Sequence, residues 1–464
     1  MSKFLHSDIY QEIRACLTLA APLSLANLIQ SGIIMTDTWT MGIFGSQTLA
    51  GGGLGSSTVI FFEFVGIYSI SAVGVVAAIA WGAKDQQKLQ STVAQGFWLA
   101  IALALAIMLV LWNLPTYMHY LGQQEALIQL ARDYMRAALW GLPACLAYEV
   151  LKNVLISINK PKLITAIAVW SLVFNLIANY IFAFGKFGIP ALGLAGIGWA
   201  TTLVWVVEFL LALIFVAFSK GLQEYQLLKQ VLQFDSAILL EIIQIGWPIG
   251  ANYLTAVGAG MVVIYLFGYF GTVTLAAYRV AGQMVTVMTN IGNGIGQATV
   301  SRVGQMYGAE DTKAVRRSGF TGIAIGAGTG IIGCLLVALE KKQIVSFFLH
   351  PQTEVDFQTF DLAIIYLTIV TFLQVFNEID TVSIAALQGL KDTKIPFLWN
   401  MLSQNIVGLG TACFLAFYCD LKGTGLLIGR SAGLILTGCL FSIRFYLKTQ
   451  ELTFAPSQTK QETE

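Results

Sequence analysis

Asp37 stands inside an apolar run, LIQSGIIMTDTWTMGIF, fifteen residues after Pro22 and with no Lys or Arg one turn away. An ionisable side chain at the middle of a membrane span costs about 2.5–3.5 kcal/mol on insertion scales, so an acid kept there is a functional candidate by default. Such a carboxylate carries a proton, binds a cation or faces a polar cavity. The plainer reading is an acid that snorkels to a helix end, but loop residues begin only near Gly45. Asn175 and Asn179, in WSLVFNLIANYIFAFG, stand four apart and share one helix face. There two amide oxygens coordinate a cation or hydrogen-bond a carboxylate. One acid and paired amides suit H+ or Na+, with Na+ held at Asp37, Asn175 and Asn179; structural bonding between helices is the competing reading of the amides.

A second polar group lies far along the chain in LQVFNEIDTVSIAALQG, where Asn377, Glu378 and Asp380 fall deep in an apolar stretch. Positions 377 and 380 are three apart and can face one cavity. Arg279 and Gln283, in TLAAYRVAGQ, are assigned to the same second-half cavity, and Arg279 either pairs with one of those acids or snorkels outward. Glu63, Glu149 and Glu208 also interrupt hydrophobic runs, with Glu63 farthest from a helix end. Met261, Tyr265, Met284 and Met288, together with Glu63, can line a substrate cavity with an adaptable surface, or simply pack against lipid and neighbouring helices. The strings GGGLG (51–55) and GNGIG (292–296) contain no Lys for a phosphate and read as close helix packing. The six cysteines form no CxxC pair, and the three histidines (6, 119, 350) lie outside the apolar runs, so neither a metal cluster nor a nucleophile with its base is expected. The chain is not read as an enzyme.

The elements that position these residues must be membrane helices. Hydrophobic residues make up 56% of the 464 and charged residues 11%, an excess of apolar side chains that needs lipid as its solvent. A hydrocarbon core about 30 Å thick takes around 20 apolar residues per helix. Twelve such runs are expected, at 16–42, 51–80, 92–114, 130–156, 163–185, 191–218, 240–268, 274–303, 318–339, 360–388, 395–418 and 424–447. Strands of a membrane barrel would be half as long and alternate in polarity. Twelve helices put both termini on one side, where 18 of the 26 Lys and Arg residues fall, so the charge bias places both termini in the cytoplasm.

The two halves match at an offset of 226: Pro22 falls on Pro248, Phe44-Gly45 on Phe270-Gly271, and Gly82-Ala83 with Asp85 on Gly308-Ala309 with Asp311. INKPK at 158–162 matches LKDTK at 390–394 after a further shift of six. Six spans per unit is even, so the repeats are parallel, an arrangement that suits transport by alternating exposure of a central site. The expected organisation is an N-terminal segment 1–15, a first six-helix lobe 16–218, a linker 219–239, a second lobe 240–447 and a tail 448–464.

The runs APLSLANLIQSGIIMTDTWTMGIFGSQTLA, FNLIANYIFAFGKFGIPALGLAGIGWAT, FGTVTLAAYRVAGQ with SRVGQMYGAEDTKAVRRSG, and ALQGLKDTKIPF, in that order, resemble the multidrug and toxic compound extrusion (MATE) family over nearly the whole chain. The resemblance implies two lobes forming a V and the export of organic cations or hydrophobic drugs against H+ or Na+. It implies that Asp37 is the first-helix coupling acid with Asn175 and Asn179 as its partners, and that Thr201 and Tyr134 supply further oxygens. The sequence departs from the family at Ala256, where many members have a seventh-helix glutamate, and at Tyr278-Arg279 in place of His-Gln. The tenth-helix acid is also displaced, its expected position being Asn377.

The resulting expectation is a monomeric secondary antiporter in a bacterial inner membrane, with a small-molecule substrate, lipid around it, no nucleic-acid partner and no cofactor beyond its coupling ion. A lipid-linked precursor flippase, which would welcome Arg279, is the alternative.

Overall fold

In a computed structural model the described residues, 2–120, 122–349 and 353–452, are almost entirely helical. Residues 453–464 of the expected C-terminal tail, and His350, lie outside the described residues. Twelve long helices follow in order: α1 Ser2–Ile43, α2 Ser46–Gly82, α3 Gln86–Met118, α4 Glu125–Ser157, α5 Pro161–Phe184, α6 Gly193–Phe218, α7 Ser236–Tyr269, α8 Thr272–Gly308, α9 Thr312–Phe348, α10 Glu354–Gly389, α11 Lys394–Tyr418 and α12 Lys422–Glu451. Among the described residues, eleven are long and apolar enough to cross a membrane. The remaining one, α8, is diluted by Thr, Gly, Asn and Arg residues. The fold is thus an all-α membrane bundle of the expected helix order.

The internal repeat is written into the backbone. Gly45 and Gly271, which precede α2 and α8, have φ of 103° and 108°, a conformation that an L side chain resists. Lys84 and Glu310 follow the same two helices with φ of 57° and 59°, and Asn159 and Lys391 precede α5 and α11 with φ of 61° each. These pairs stand at the offsets found in the sequence. Pro22 and Pro248 sit inside α1 and α7, where each removes one i→i−4 bond. Pro143 likewise comes just after the single tight turn, Leu139–Gly141, that interrupts α4.

The chain forms two compact units. One contains Leu19–Ala77 and Gln86–Gly258, and thus most of α1 and α2, all of α3–α6 and the first part of α7. Here α2 and α7 approach where Gly246 and Gly250 leave space for Ser69, and Tyr68 stacks on Tyr253 at 4.8 Å. The other contains the start of α1 up to Thr18, Ala78–Asp85 at the end of α2, and the chain from Ala259 onward. Its core is built on Phe267, which stacks on Tyr278 at 4.0 Å and meets the buried Tyr366 edge-on. A second cluster gathers Val303, Val315, Leu387, Phe441 and Phe445.

Candidate ion-coupling site

Three helices of the first unit bring their polar residues to one point. Asp37 of α1 is 7% exposed. Its Oδ1 accepts from Asn175 Nδ2 at 3.0 Å and Asn179 Nδ2 at 2.7 Å, both on α5, and its Oδ2 accepts from Thr201 Oγ1 of α6 at 3.3 Å. Tyr134 of α4 adds its hydroxyl 3.4 Å from Thr201 Oγ1. All four partners are buried. Among the described residues no Lys or Arg makes an ion pair with Asp37. The amides are ordered by each other as well, Asn179 Nδ2 donating to Asn175 Oδ1 at 3.2 Å, while Asn179 Oδ1 is buried with no hydrogen-bond partner. A carboxylate held by neutral donors beside an unpartnered amide oxygen has the chemistry to take up a proton or to offer oxygens to a monovalent cation. Among the described residues no three His, Cys, Asp or Glu side chains converge to hold a multivalent metal.

Local sequence explains the convergence. Asn175 and Asn179 share a face of α5 by their spacing of four, and the same face carries Ser171. Gly196 and Gly198 let α6 approach the backbones of α5 and α4, at Phe182 and Tyr134, which brings Thr201 within reach.

The second-half residues are more dispersed. Glu378 of α10 is buried and accepts from Gln374 Nε2 at 2.9 Å, and Gln374 also reaches Thr289 of α8 at 3.2 Å. Its other oxygen, Oε2, has no partner and lies against Gly292, where any side chain would collide with it. Asp380 Oδ1 is also buried without a partner. Asn377 is half-buried, whereas Arg279 and Gln283 are exposed, and among the described residues no ion pair joins Arg279 to Glu378 or Asp380. Of the residues assigned to a substrate cavity, Met261 and Tyr265 are exposed, Met284 is half-buried, and Met288 and Glu63 are buried.

One group stands out only in three dimensions. Glu149 of α4 and Glu208 of α6 are 5% and 2% exposed, and Lys152 Nζ turns in to meet Glu149 at 2.6 Å. Both glutamates act electrostatically on Glu63 of α2. In the sequence each looks like an acid near a helix end; what marks them is that all three interrupt apolar runs in the same half.

A family model described as MatE matches residues 22–181 and 248–413. A probable multidrug resistance protein NorM of Synechococcus sp. is 31% identical over 446 residues, covering 96% of each chain. Another NorM, from Pseudomonas aeruginosa, is 32% identical over 95% of this chain and 90% of its own. Among solved structures, a MATE protein in its bent conformation superposes with a TM-score of 0.85 at 18% identity, over 95% of this chain and 97% of that one. The eukaryotic MATE transporter AtDTX14 does so with a TM-score of 0.82 at 17% identity, over 96% and 98%.

Proposed function

Because the chain belongs to the MatE family of multidrug efflux transporters, we propose that it exports organic cations or hydrophobic small molecules in exchange for H+ or Na+, with Asp37 as the coupling acid. The observation that carries this reading is the buried Asp37 carboxylate, bonded by Asn175, Asn179 and Thr201 and making no ion pair with a Lys or Arg among the described residues. Burying an isolated charge is costly, so a mobile cation is the natural counter-charge. The relatives are named as probable multidrug resistance proteins.

Antiport follows if substrate and ion exclude each other. An ion that weakens substrate binding must be weakened by substrate to the same factor, so inflow of one expels the other. The Lys and Arg bias of the loops supports cytoplasmic termini, and with that orientation transport outward against an inward ion gradient is export. The second reading, movement of an anionic lipid head group, draws on the exposed Arg279 alone.

The test is efflux of a fluorescent cationic dye from proteoliposomes under an imposed pH or Na+ gradient. Gradient-driven efflux in the wild type and its loss in Asp37→Asn, with thermal stability kept, is the expected result. Efflux at the wild-type rate by Asp37→Asn overturns the role of Asp37; movement of an anionic lipid probe but no dye favours the second reading.

A further inference from the structure

We propose that the groove between α1 and α5, on the side of the termini, binds an anionic phospholipid, with the headgroup phosphate on Lys160 and Lys162 and an acyl chain lying across Pro22. The site is independent of which ion or substrate the chain carries.

The groove is open and holds about 400 Å³, within the range of roughly 300–1,000 Å³ common to small-molecule sites. Its floor is made where α1 loses a bond of its own. Pro22 has no N–H to give the preceding turn, and Thr165 Oγ1 of α5 donates to the Pro22 carbonyl at 2.7 Å, which ties the two helices side by side. The walls are short and apolar. Ala21 and Leu25 stand on the α1 rim and Ala166 and Val169 on the α5 rim, and all four are exposed. Lys162 stands at one end. Beyond Val169, at the other end, the α5 rim continues into Val173, Ile177 and Tyr180, exposed side chains at helical spacing that the rest of the described chain leaves uncovered. All of these residues belong to the same compact unit.

Depth and charge name the occupant. α5 has 24 residues and is about 36 Å long. A hydrocarbon core of about 30 Å, counted back from Phe184, ends near Ile164, which leaves Lys162 just outside it and Val169 within. The same count back from Ile43 along α1 ends beside Pro22. The groove therefore straddles the boundary between headgroups and acyl chains. Lys160 and Lys162 are exposed there, and among the described residues neither makes an ion pair. Two ammonium groups at headgroup depth, above an apolar trough, match a phosphodiester with its acyl chain below. A soluble anion would leave the trough uncovered, and a zwitterionic headgroup would offset its phosphate with an ammonium of its own. With the termini in the cytoplasm, as the loop charges support, this is the leaflet that carries anionic lipid.

A lipid seated here covers the turn of α1 that lacks a backbone bond and bridges it to the start of α5. The same two helices carry Asp37 and its amide partners Asn175 and Asn179. Occupancy of the groove therefore firms the helix pair on which that site is built, and its first readout is stability.

The experiment is thermal melting of delipidated full-length protein in an uncharged detergent, titrated with phosphatidylglycerol, with phosphatidylcholine and with inorganic phosphate. Phosphatidylglycerol should raise the melting temperature, and the other two should not. Lys162→Glu should raise the lipid concentration for half-maximal stabilisation by roughly tenfold or more. Ala166→Phe, which fills the trough and keeps both charges, should do the same, whereas Lys186→Glu, at the far end of α5, should leave it unchanged. If Ala166→Phe does not fold, Ala21→Leu on the opposite rim takes its place. Equal stabilisation by phosphatidylcholine, or an unchanged phosphatidylglycerol response in both groove variants, overturns the site. Inorganic phosphate as effective as the lipid reduces it to a soluble-anion site and overturns the lipid. A dimer that forms without lipid and is lost in Ala166→Phe gives the face to a second copy and likewise overturns it. None of these outcomes bears on the role of Asp37 in transport.

Discussion

Asp37 owes its position to three donors from two other helices, so the strength of the site is shared and can be taken apart. Hydrogen bonds to a charged group are worth about 1.5–3 kcal/mol each, and Asn179 Nδ2 makes the shortest of the three at 2.7 Å. Asn179→Ala is therefore expected to shift the ion concentration for half-maximal transport by roughly ten- to a hundredfold, and Thr201→Ala, which loses a contact of 3.3 Å, by less. Titrating transport rate against ion concentration for both variants checks the order; equal effects would mean the amide does not hold the acid. Much of this site was legible in advance, because the spacing of Asn175 and Asn179 puts both on one face whatever the tertiary arrangement. Thr201 and Tyr134 came only with the family resemblance, since nothing local says which hydroxyl on α4 or α6 turns inward. Glu63, Glu149 and Glu208 were legible one by one as acids interrupting apolar runs, but their grouping with Lys152 was not. It depends on which faces of α2, α4 and α6 meet, and among uniformly apolar helices hydropathy carries no such signal.

At the scale of elements, close approach is paid for in missing side chains. Gly51, Gly52 and Gly55 of α2 lie against Leu130, Met41 and the Ala131 backbone, as a glycine string in a membrane helix suggests, while Gly53 faces open space. A less obvious row is Gly425, Gly429 and Gly433 on α12, spaced by four. A Cβ on any of them would strike the backbone of α11, at Leu415, Ala412 and Ser403 respectively. There α11 is widened into π-helical turns at Met401–Gly408 and Phe414–Tyr418, which re-space its backbone against the glycine face. Gly429→Leu should force the two helices apart and lower stability by about 1–3 kcal/mol, whereas Gly260→Ala on α7, with nothing near its α-carbon, should be neutral or stabilising by up to about 1 kcal/mol. Thermal melts in detergent check the pair, and equal melting temperatures would show that α11 yields without cost. The π-helical turns left no trace in the sequence, because a widened turn changes the register of side chains without changing their hydropathy.

At the scale of the whole molecule, the repeat predicts a symmetry that one unit displays directly. A Cβ added to Gly82 would strike the carbonyl of Gln305, and one added to Gly308 would strike the carbonyl of Ile79. Gly308 is the repeat counterpart of Gly82, and Gln305 that of Ile79, at the same offset of 226. The ends of α2 and α8 thus meet backbone to backbone about a pseudo-twofold axis. Beside them Arg302 of α8 grips Glu12 of α1 through two bonds of 2.9 and 2.7 Å, Ser318 of α9 donates to the same carboxylate at 2.8 Å, and Arg317 reaches Asp8 at 2.9 Å. Every one of these contacts joins a helix of the first repeat to one of the second, on the side of the termini. If the proposed transport cycle parts the two repeats on that side, these are contacts it breaks, since packed interfaces switch between discrete arrangements. Removing one partner of a buried ion pair costs roughly 3–5 kcal/mol, enough to shift a two-state population strongly. Cys16 of α1 supplies a native reporter, a free thiol only 2% exposed and within electrostatic reach of Glu12 and Arg302. With the other five cysteines replaced, Glu12→Gln and Gly82→Val should each raise the rate at which a maleimide applied from that side labels Cys16 in folded protein. An unchanged rate in both would mean that the seam stays shut through the transport cycle and that access opens elsewhere.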